Sequence, residues 1–253
     1  MGDHVVVQIY EVQQADEAKA LCELDVDHIG HVLLTRDEWK SESIRGAARA
    51  TQSGGAKSTL IPLFHDQETV FKALDYYQPD IVHFCESLIK ESDEKLTELV
   101  ELQESIKKGF SEVKIMRSVP IAPPGLNSDI PTFEIASRFE SVSDYLLTDT
   151  IIVEDDHIVA GDQLDPTFFG ITGKTCDWVV AAELVKRSSV PVILAGGIAP
   201  DNVYDGVVKV NPHGIDSCTL TNASDESGKY IRFKKDLDKV KRLIAEVRRA
   251  ESS

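Results

Sequence analysis

No apolar run in this 253-residue chain approaches the roughly 18 consecutive positions that a membrane-crossing helix needs. The opening MGDHVVVQIYE has no basic region followed by a cleavable apolar stretch, and position 6 is not the Ser or Thr that myristoylation at Gly2 would require. These absences lead to the expectation of a cytoplasmic protein. Cysteine is sparse: Cys22, Cys85, Cys176 and Cys218 lie far apart and form no CxxC pair, so neither a disulfide framework nor a zinc knuckle is expected. Basic residues are in deficit, 27 Lys and Arg against 43 Asp and Glu, for a formal net charge of -16. Such a field disfavours nucleic acid and anionic membrane surfaces as partners. It still admits a small anionic substrate, because a few backbone amides and one or two cations in a cleft override the global charge locally. No linker rich in Pro, Gly and Ser divides the chain either, and residues 1–253 read as a single domain large enough to bury a sizeable core.

What the chain does contain is a repeated alternation. The stretch from Val190 to Asn222 opens on a short apolar run, Val190–Ala195, which ends in Gly196-Gly197. A run of this kind between turn signals reads as a strand buried on both faces. Pro200-Asp201-Asn202 then supplies a turn and helix start, Val203, Val207 and Val210 recur at helical spacing, and His213–Thr219 begins another strand. Six similar units precede it. Their strands are Val5–Tyr10, His28–Leu34, Thr59–Phe64, Asp80–Cys85, Val113–Ser118 and Tyr145–Asp149. Their helices are Ala15–Leu24, Ser41–Thr51, Gln67–Tyr77, Asp93–Lys108, Ile130–Phe139 and Trp178–Lys186. A closing helix, Lys235–Ala250, carries Leu237, Val240, Leu243, Ile244 and Val247 on one face. Eight strand–helix units in this length predict an α/β protein, a single (β/α)8 TIM barrel, with a doubly wound open sheet as the runner-up. Two connections exceed what the fold needs: Thr150–Asp177, and the polar Asn222–Lys229, which reads as a mobile loop.

A barrel of this kind holds its active site at the carboxyl ends of the strands. That rule singles out Tyr10, Glu11, His31, Phe64, His65, His83, Cys85, Arg117, Asp149, Gly196, Gly197, Cys218 and Thr219. Gly196-Gly197 either makes a tight turn or brings backbone N–H groups close to an anion. The spacing of His83-Phe84-Cys85 matches no zinc pattern, so no metal is expected.

Two segments, GITGKTCDW (Gly170–Trp178) and PVILAGGIAPDNV (Pro191–Val203), resemble the phosphoribosylanthranilate isomerases of tryptophan biosynthesis. So do Gly214-Ile215-Asp216, the segment SGKYIRFKKD (Ser227–Asp236) and the N-terminal Ala15–Leu33. The resemblance implies an Amadori rearrangement of a phosphorylated ribosylamine to an aminoketose, without a cofactor, in a monomer or homodimer. It places the general acid at Asp149, which would need an apolar pocket or a neighbouring carboxylate to raise its pKa. Phe168 and Phe169 could supply such a cover.

The departures from the family pattern are specific. Its catalytic cysteine is Tyr10 here, in Gln8-Ile9-Tyr10-Glu11, and a phenol with an ordinary pKa near 10 is a poor base. Glu11 is the nearest substitute, although strand alternation would turn it away from Tyr10 unless it already lies in the loop. Cys85 or His83 could serve from across the barrel. The family's carboxylate-binding arginine falls at Trp39, leaving Arg36 or Lys40 to compensate; Arg36, His83, Arg117 and Gly173 are the expected substrate-binding residues. Phosphate is expected at Gly196, Gly197, Cys218 and Thr219, with Thr219-Leu220 standing where the family has Ser-Gly. Three readings follow: an isomerase with a relocated base, a relative acting on another phosphorylated sugar or amine, and a barrel that binds a phosphorylated ligand without chemistry.

Overall fold

The computed structural model describes residues 4–125, 130–154, 157–159 and 173–253. Eight parallel strands close into a barrel in the spatial order β1-β10-β9-β6-β5-β4-β3-β2. In chain order these are β1 (Val6–Ile9), β2 (His28–Leu33), β3 (Lys57–Pro62), β4 (Ile81–Phe84), β5 (Lys114–Ile121), β6 (Tyr145–Thr150), β9 (Val192–Leu194) and β10 (Gly214–Ser217). The helices α1 (Ala15–Cys22), α2 (Glu42–Ser53), α3 (Gln67–Tyr77), α4 (Asp93–Gly109), α5 (Thr132–Phe139), α6 (Trp178–Arg187), α7 (Val203–Val210) and α8 (Leu237–Glu251) alternate with them. This is the (β/α)8 barrel that the strand count predicts; the open sheet is excluded because β1 pairs with β10 as well as β2.

Helix starts follow from local chemistry. Ser41, Asp66, Ser92, Asp177 and Asp236 precede helices and accept hydrogen bonds from the first-turn amides that no carbonyl can reach. Alternation along the strands then divides two apolar layers. Val7, Ile9, Leu146, Leu194 and Ile215 point outward and pack with helix residues such as Leu21, Ala47, Leu184, Val207 and Leu243. Val32, Ile61, Ile81, Met116, Leu147 and Ile193 point inward and fill the barrel with Tyr10 and Cys85.

The amino ends of the strands are clasped by a recurring contact. Asp27, Asp80 and Asp144, each just ahead of an even-numbered strand, accept the amides of Val7, Ser58 and Ile115 on the preceding strand at 2.8, 2.9 and 2.9 Å. This spares those edge amides from burial without a partner.

Two short hairpins lie outside the barrel. One pairs β7 (Ile152–Glu154) with β8 (His157–Val159), inside the long connection after β6. The other pairs β11 (Asn222–Ser224) with β12 (Tyr230–Lys235). The expected mobile loop at Asn222–Lys229 is therefore largely hairpin, its turn pinned by Asp225 Oδ1, which accepts from the Ser227 amide, the Ser227 hydroxyl and the Lys229 amide. Phe168 and Phe169 lie outside the described residues.

Arg117 differs from the expectation that it binds substrate. The strand β5 continues to Ile121, so Arg117 sits mid-strand, and its neighbours Met116 and Ser118 take the inward positions. Its fully buried guanidinium points outward, donates to Gln103 Oε1 at 2.7 Å and to Glu86, and stacks between Phe84 and Phe139. A charge so placed depends on its partner. Glu86→Ala should lower stability by about 3–5 kcal/mol, and replacing the pair by Arg117→Met with Glu86→Leu should recover most of that loss. Urea unfolding of the three proteins checks this.

Candidate active site

One cavity opens at the carboxyl ends of the barrel strands, bounded by Tyr10, Glu11, His83, Cys85, Asp149, Gly173, Gly196, Gly197, Asp216, Cys218, Thr219 and Arg232. Val32, Ile61, Leu63 and Leu147 give it an apolar floor. The long connection after β6 and the β11–β12 hairpin contribute Gly173 and Arg232 to its rim. The strand-end aspartate and the paired glycines therefore share one pocket.

The glycine pair is more than a turn. Gly196 and Gly197 have φ of 88° and 60°, a region side chains avoid. A Cβ on Gly197 would lie 2.5 Å from the Lys174 carbonyl carbon and 2.7 Å from the Thr175 amide nitrogen. The glycines thus let Lys174 and Thr175 press against the end of β9. Asn202 fixes the loop from the other side, donating to the Gly197 carbonyl at 2.8 Å and accepting from the Ala199 amide at 2.9 Å.

Tyr10, at the family's cysteine position, enters the barrel where β2 carries Gly30. A Cβ there would lie 2.3 Å from Tyr10 Cδ1. The phenol meets His83 Nδ1 at 2.8 Å and donates to Met116 Sδ at 3.3 Å, while His83 Nε2 meets Ser118 Oγ at 2.9 Å. Burial, then the nearby acids, pushes the Tyr10 pKa well above its usual value. Burial, then the Arg117 charge, lowers that of His83 to about 3, which keeps the imidazole neutral. Neither group is a base suited to neutral pH. Cys85 also faces the cavity, and burial with the neighbouring Glu86 and Asp149 charges drives its thiol well above the ordinary range.

Glu11 reaches the cavity because the chain leaves the strand there. Its φ of 63° is left-handed, which breaks the alternation that would have turned it outward. Its Oε1 accepts from Arg232 Nε at 2.9 Å and Nη2 at 2.6 Å. Arg232 is the basic side chain on the cavity wall, and sequence reasoning missed it. Lys235, farther along the same strand, donates to the Cys218 carbonyl at 3.0 Å and to Asn222 Oδ1 at 2.5 Å, fastening the hairpin to the end of β10.

Two carboxyl groups remain, Asp149 on β6 and Asp216 on β10, both buried. Burial raises the Asp149 pKa to about 7, against a small opposing effect of the Thr150 backbone hydrogen bond. Burial does the same for Asp216, also to about 7, opposed by the Gln8 hydrogen bond and by Lys235. Asp216 was noticed only within the Gly214-Ile215-Asp216 motif; its inward parity on β10 was the signal available.

Arg36 does not join the cavity. It is exposed and pairs with Asp66 at 3.4 Å. Trp39 packs edge-on against Tyr76 and Lys40 lies over the same ring, so none of the three replaces the family arginine within the pocket. His31 points outward, bonded to the Val12 carbonyl at 2.7 Å. Among the described residues, no group of three His, Cys, Asp or Glu is placed to hold a metal ion. No helix among them is long and apolar enough to cross a membrane.

A model of the N-(5'-phosphoribosyl)anthranilate (PRA) isomerase family matches residues 7–245. The chain belongs to that family. The N-(5'-phosphoribosyl)anthranilate isomerase 2 of Methanosarcina mazei is 32% identical over 149 residues, covering 56% of this chain and 58% of the relative. The chain thus spans less than two thirds of that relative's length. Among solved structures, phosphoribosyl anthranilate isomerase from Thermotoga maritima superposes with a TM-score of 0.66 at 20% identity, over 97% of this chain and 99% of the other. A phosphoribosyl anthranilate isomerase in complex with reduced 1-(o-carboxyphenylamino)-1-deoxyribulose 5-phosphate gives a TM-score of 0.65 at 18% identity, with the same coverage of both chains. At these identities the two structures speak to the fold.

Two consequences can be measured. Gly30→Ala should cost about 1–3 kcal/mol by overpacking against the Tyr10 ring. Combined with Tyr10→Cys the loss should largely vanish, and a double-mutant cycle by urea unfolding reads the coupling. The second concerns pH. Below the ordinary aspartate pKa near 4, Asp149 is protonated in both the folded and unfolded chain and costs nothing. Between about 4 and 7 the unfolded chain ionises while the fold does not, so the parent loses stability as pH rises. Asp149→Asn escapes that loss. Its stability gain over the parent should grow from near zero at pH 4 to on the order of 2–4 kcal/mol above pH 7, followed by thermal unfolding across that range.

Proposed function

We propose that this protein isomerises a phosphorylated ribosylamine, N-(5'-phosphoribosyl)anthranilate or a close relative, to the corresponding aminoketose, with Asp149 as general acid. The observation that carries the reading is Asp149 itself: a buried carboxyl at the end of β6, facing the same cavity as Gly196 and Gly197, with its pKa raised to about 7. Such a group is about half protonated at neutral pH and still strong enough to give its proton up.

The chemistry begins when Asp149 protonates the ring oxygen. The bond from that oxygen to C1 breaks, and the nitrogen lone pair forms an iminium. Removal of the C2 proton by a base sends its bonding electrons into a C1–C2 double bond and returns a pair to nitrogen. Reprotonation at C1, with loss of the C2 hydroxyl proton, gives the ketone. Only protons move, so the reaction calls for no redox partner. Backbone amides around Gly196 and Gly197, with Cys218 and Thr219 beyond the neighbouring strand β10, are assigned to the phosphate. Arg232 is the basic group at hand for a carboxylate on the amine, the role for which the sequence offered Arg36 or Lys40. The small phosphorylated substrate, a cytoplasmic setting and a monomeric or homodimeric state belong to the same proposal. The carboxyphenylamino ribulose phosphate bound in a structural relative supports this substrate class.

The direct test is the fluorescence of N-(5'-phosphoribosyl)anthranilate, which should be consumed by the purified protein. Asp149→Asn should lower kcat by roughly 10²–10⁴-fold while leaving the affinity for the reduced product analogue nearly unchanged. Full activity in the Asn variant would refute the assignment.

A further inference from the structure

The family's cysteine base is missing, and most of its possible substitutes are already engaged. The Tyr10 hydroxyl is tied to His83 and Met116, and His83 is held at both ring nitrogens. Glu11 faces the cavity, but two N–H groups of Arg232 converge on one of its oxygens and engage it. Cys85 is buried and Cys218 half-buried, and desolvation disfavours the thiolate form of each.

Asp216 is bound differently. It points inward from β10 into the same cavity as Asp149, with the single strand β9 between their two strands. Its Oδ1 accepts from Gln8 Nε2 at 3.1 Å, and among the described residues no ion pair claims it. Gln8 is itself held in place, its Oε1 meeting His28 Nδ1 at 3.2 Å and its Nε2 also reaching Met116 Sδ at 3.9 Å.

We propose that Asp216 is the general base of the rearrangement, taking the C2 proton, and that Gln8 is the residue that positions it. The assignment rests on the isomerase reading above. Three charged groups bear on Asp216 from the surrounding elements: Asp149 on β6, Glu11 after β1 and Lys235 on β12. The two acids raise its pKa and the lysine lowers it, alongside the dominant effect of burial. Asp149 and Asp216 face one cavity, and the charge of Asp149 raises the pKa of Asp216. In the form of the pair that holds a single proton, one carboxyl acts as acid while the other acts as base.

The experiment uses the full chain with N-(5'-phosphoribosyl)anthranilate as substrate. Asp216→Asn should lower kcat by roughly 10²–10⁴-fold, with KM and the affinity for the reduced product analogue nearly unchanged. Formate added to Asp216→Ala should restore part of the turnover. Gln8→Leu removes an amide that stabilises the ionised carboxyl, so it should shift the acidic limb of the kcat/KM profile to higher pH while keeping turnover on the alkaline side of that limb. A purely structural role for either residue would not move that limb.

Retained turnover in Asp216→Asn, beside an active parent, overturns the base assignment and leaves the isomerase reading standing. Loss of analogue binding in the same variant makes Asp216 a substrate-holding residue and also overturns it. An unmoved limb in Gln8→Leu removes the positioning role. A parent that does not consume the substrate at all overturns the isomerase reading, and the base assignment with it.

Discussion

The site depends on how little water reaches the inside of the barrel. Met116, Leu147, Ile193 and Ile61 pack beneath the cavity, and the rim is narrowed by Gly173 and by the hairpin that carries Arg232. In that setting an isolated negative charge is costly, and the two aspartates that face the cavity keep their protons to a pH well above the ordinary carboxylate range. Glu11 occupies the same wall but has a guanidinium as partner, which gives it a different role. Three carboxyl groups on one pocket are thus sorted by their immediate neighbours.

The exchange of cysteine for tyrosine at position 10 is absorbed by a set of linked adjustments. Glycine at position 30 makes room for the ring, and His83 and Ser118 supply a continuous line of hydrogen bonds behind the hydroxyl. The tyrosine is therefore a packed, bonded component of the barrel interior.

Much of this architecture was legible in the sequence because strand and helix periods are local. The apolar runs and the glycine pair each announce themselves within a few positions. Asp149 and Gly196-Gly197 were legible for the same reason, standing at or just beyond strand ends. Arg117 was misread because the strand β5 runs three residues beyond the Ser118 expected to end it, and parity then turns the guanidinium toward α4 and α5. Arg232 was invisible for a different reason. It reaches the cavity only because the β11–β12 hairpin folds back over the end of β10, a long-range event fixed by Lys235 and Asn222. Glu11 lay between these cases: its left-handed backbone decides its direction, and no local pattern signals that conformation at a glutamate.

Carbon-detected NMR titration of the aspartate side chains between pH 4 and 9 measures the claim on which the chemistry turns. The account requires the carboxyl carbons of Asp149 and Asp216 to titrate near pH 7, each responding to the other's ionisation. Titration of both below pH 5, as for ordinary exposed aspartates, would contradict it.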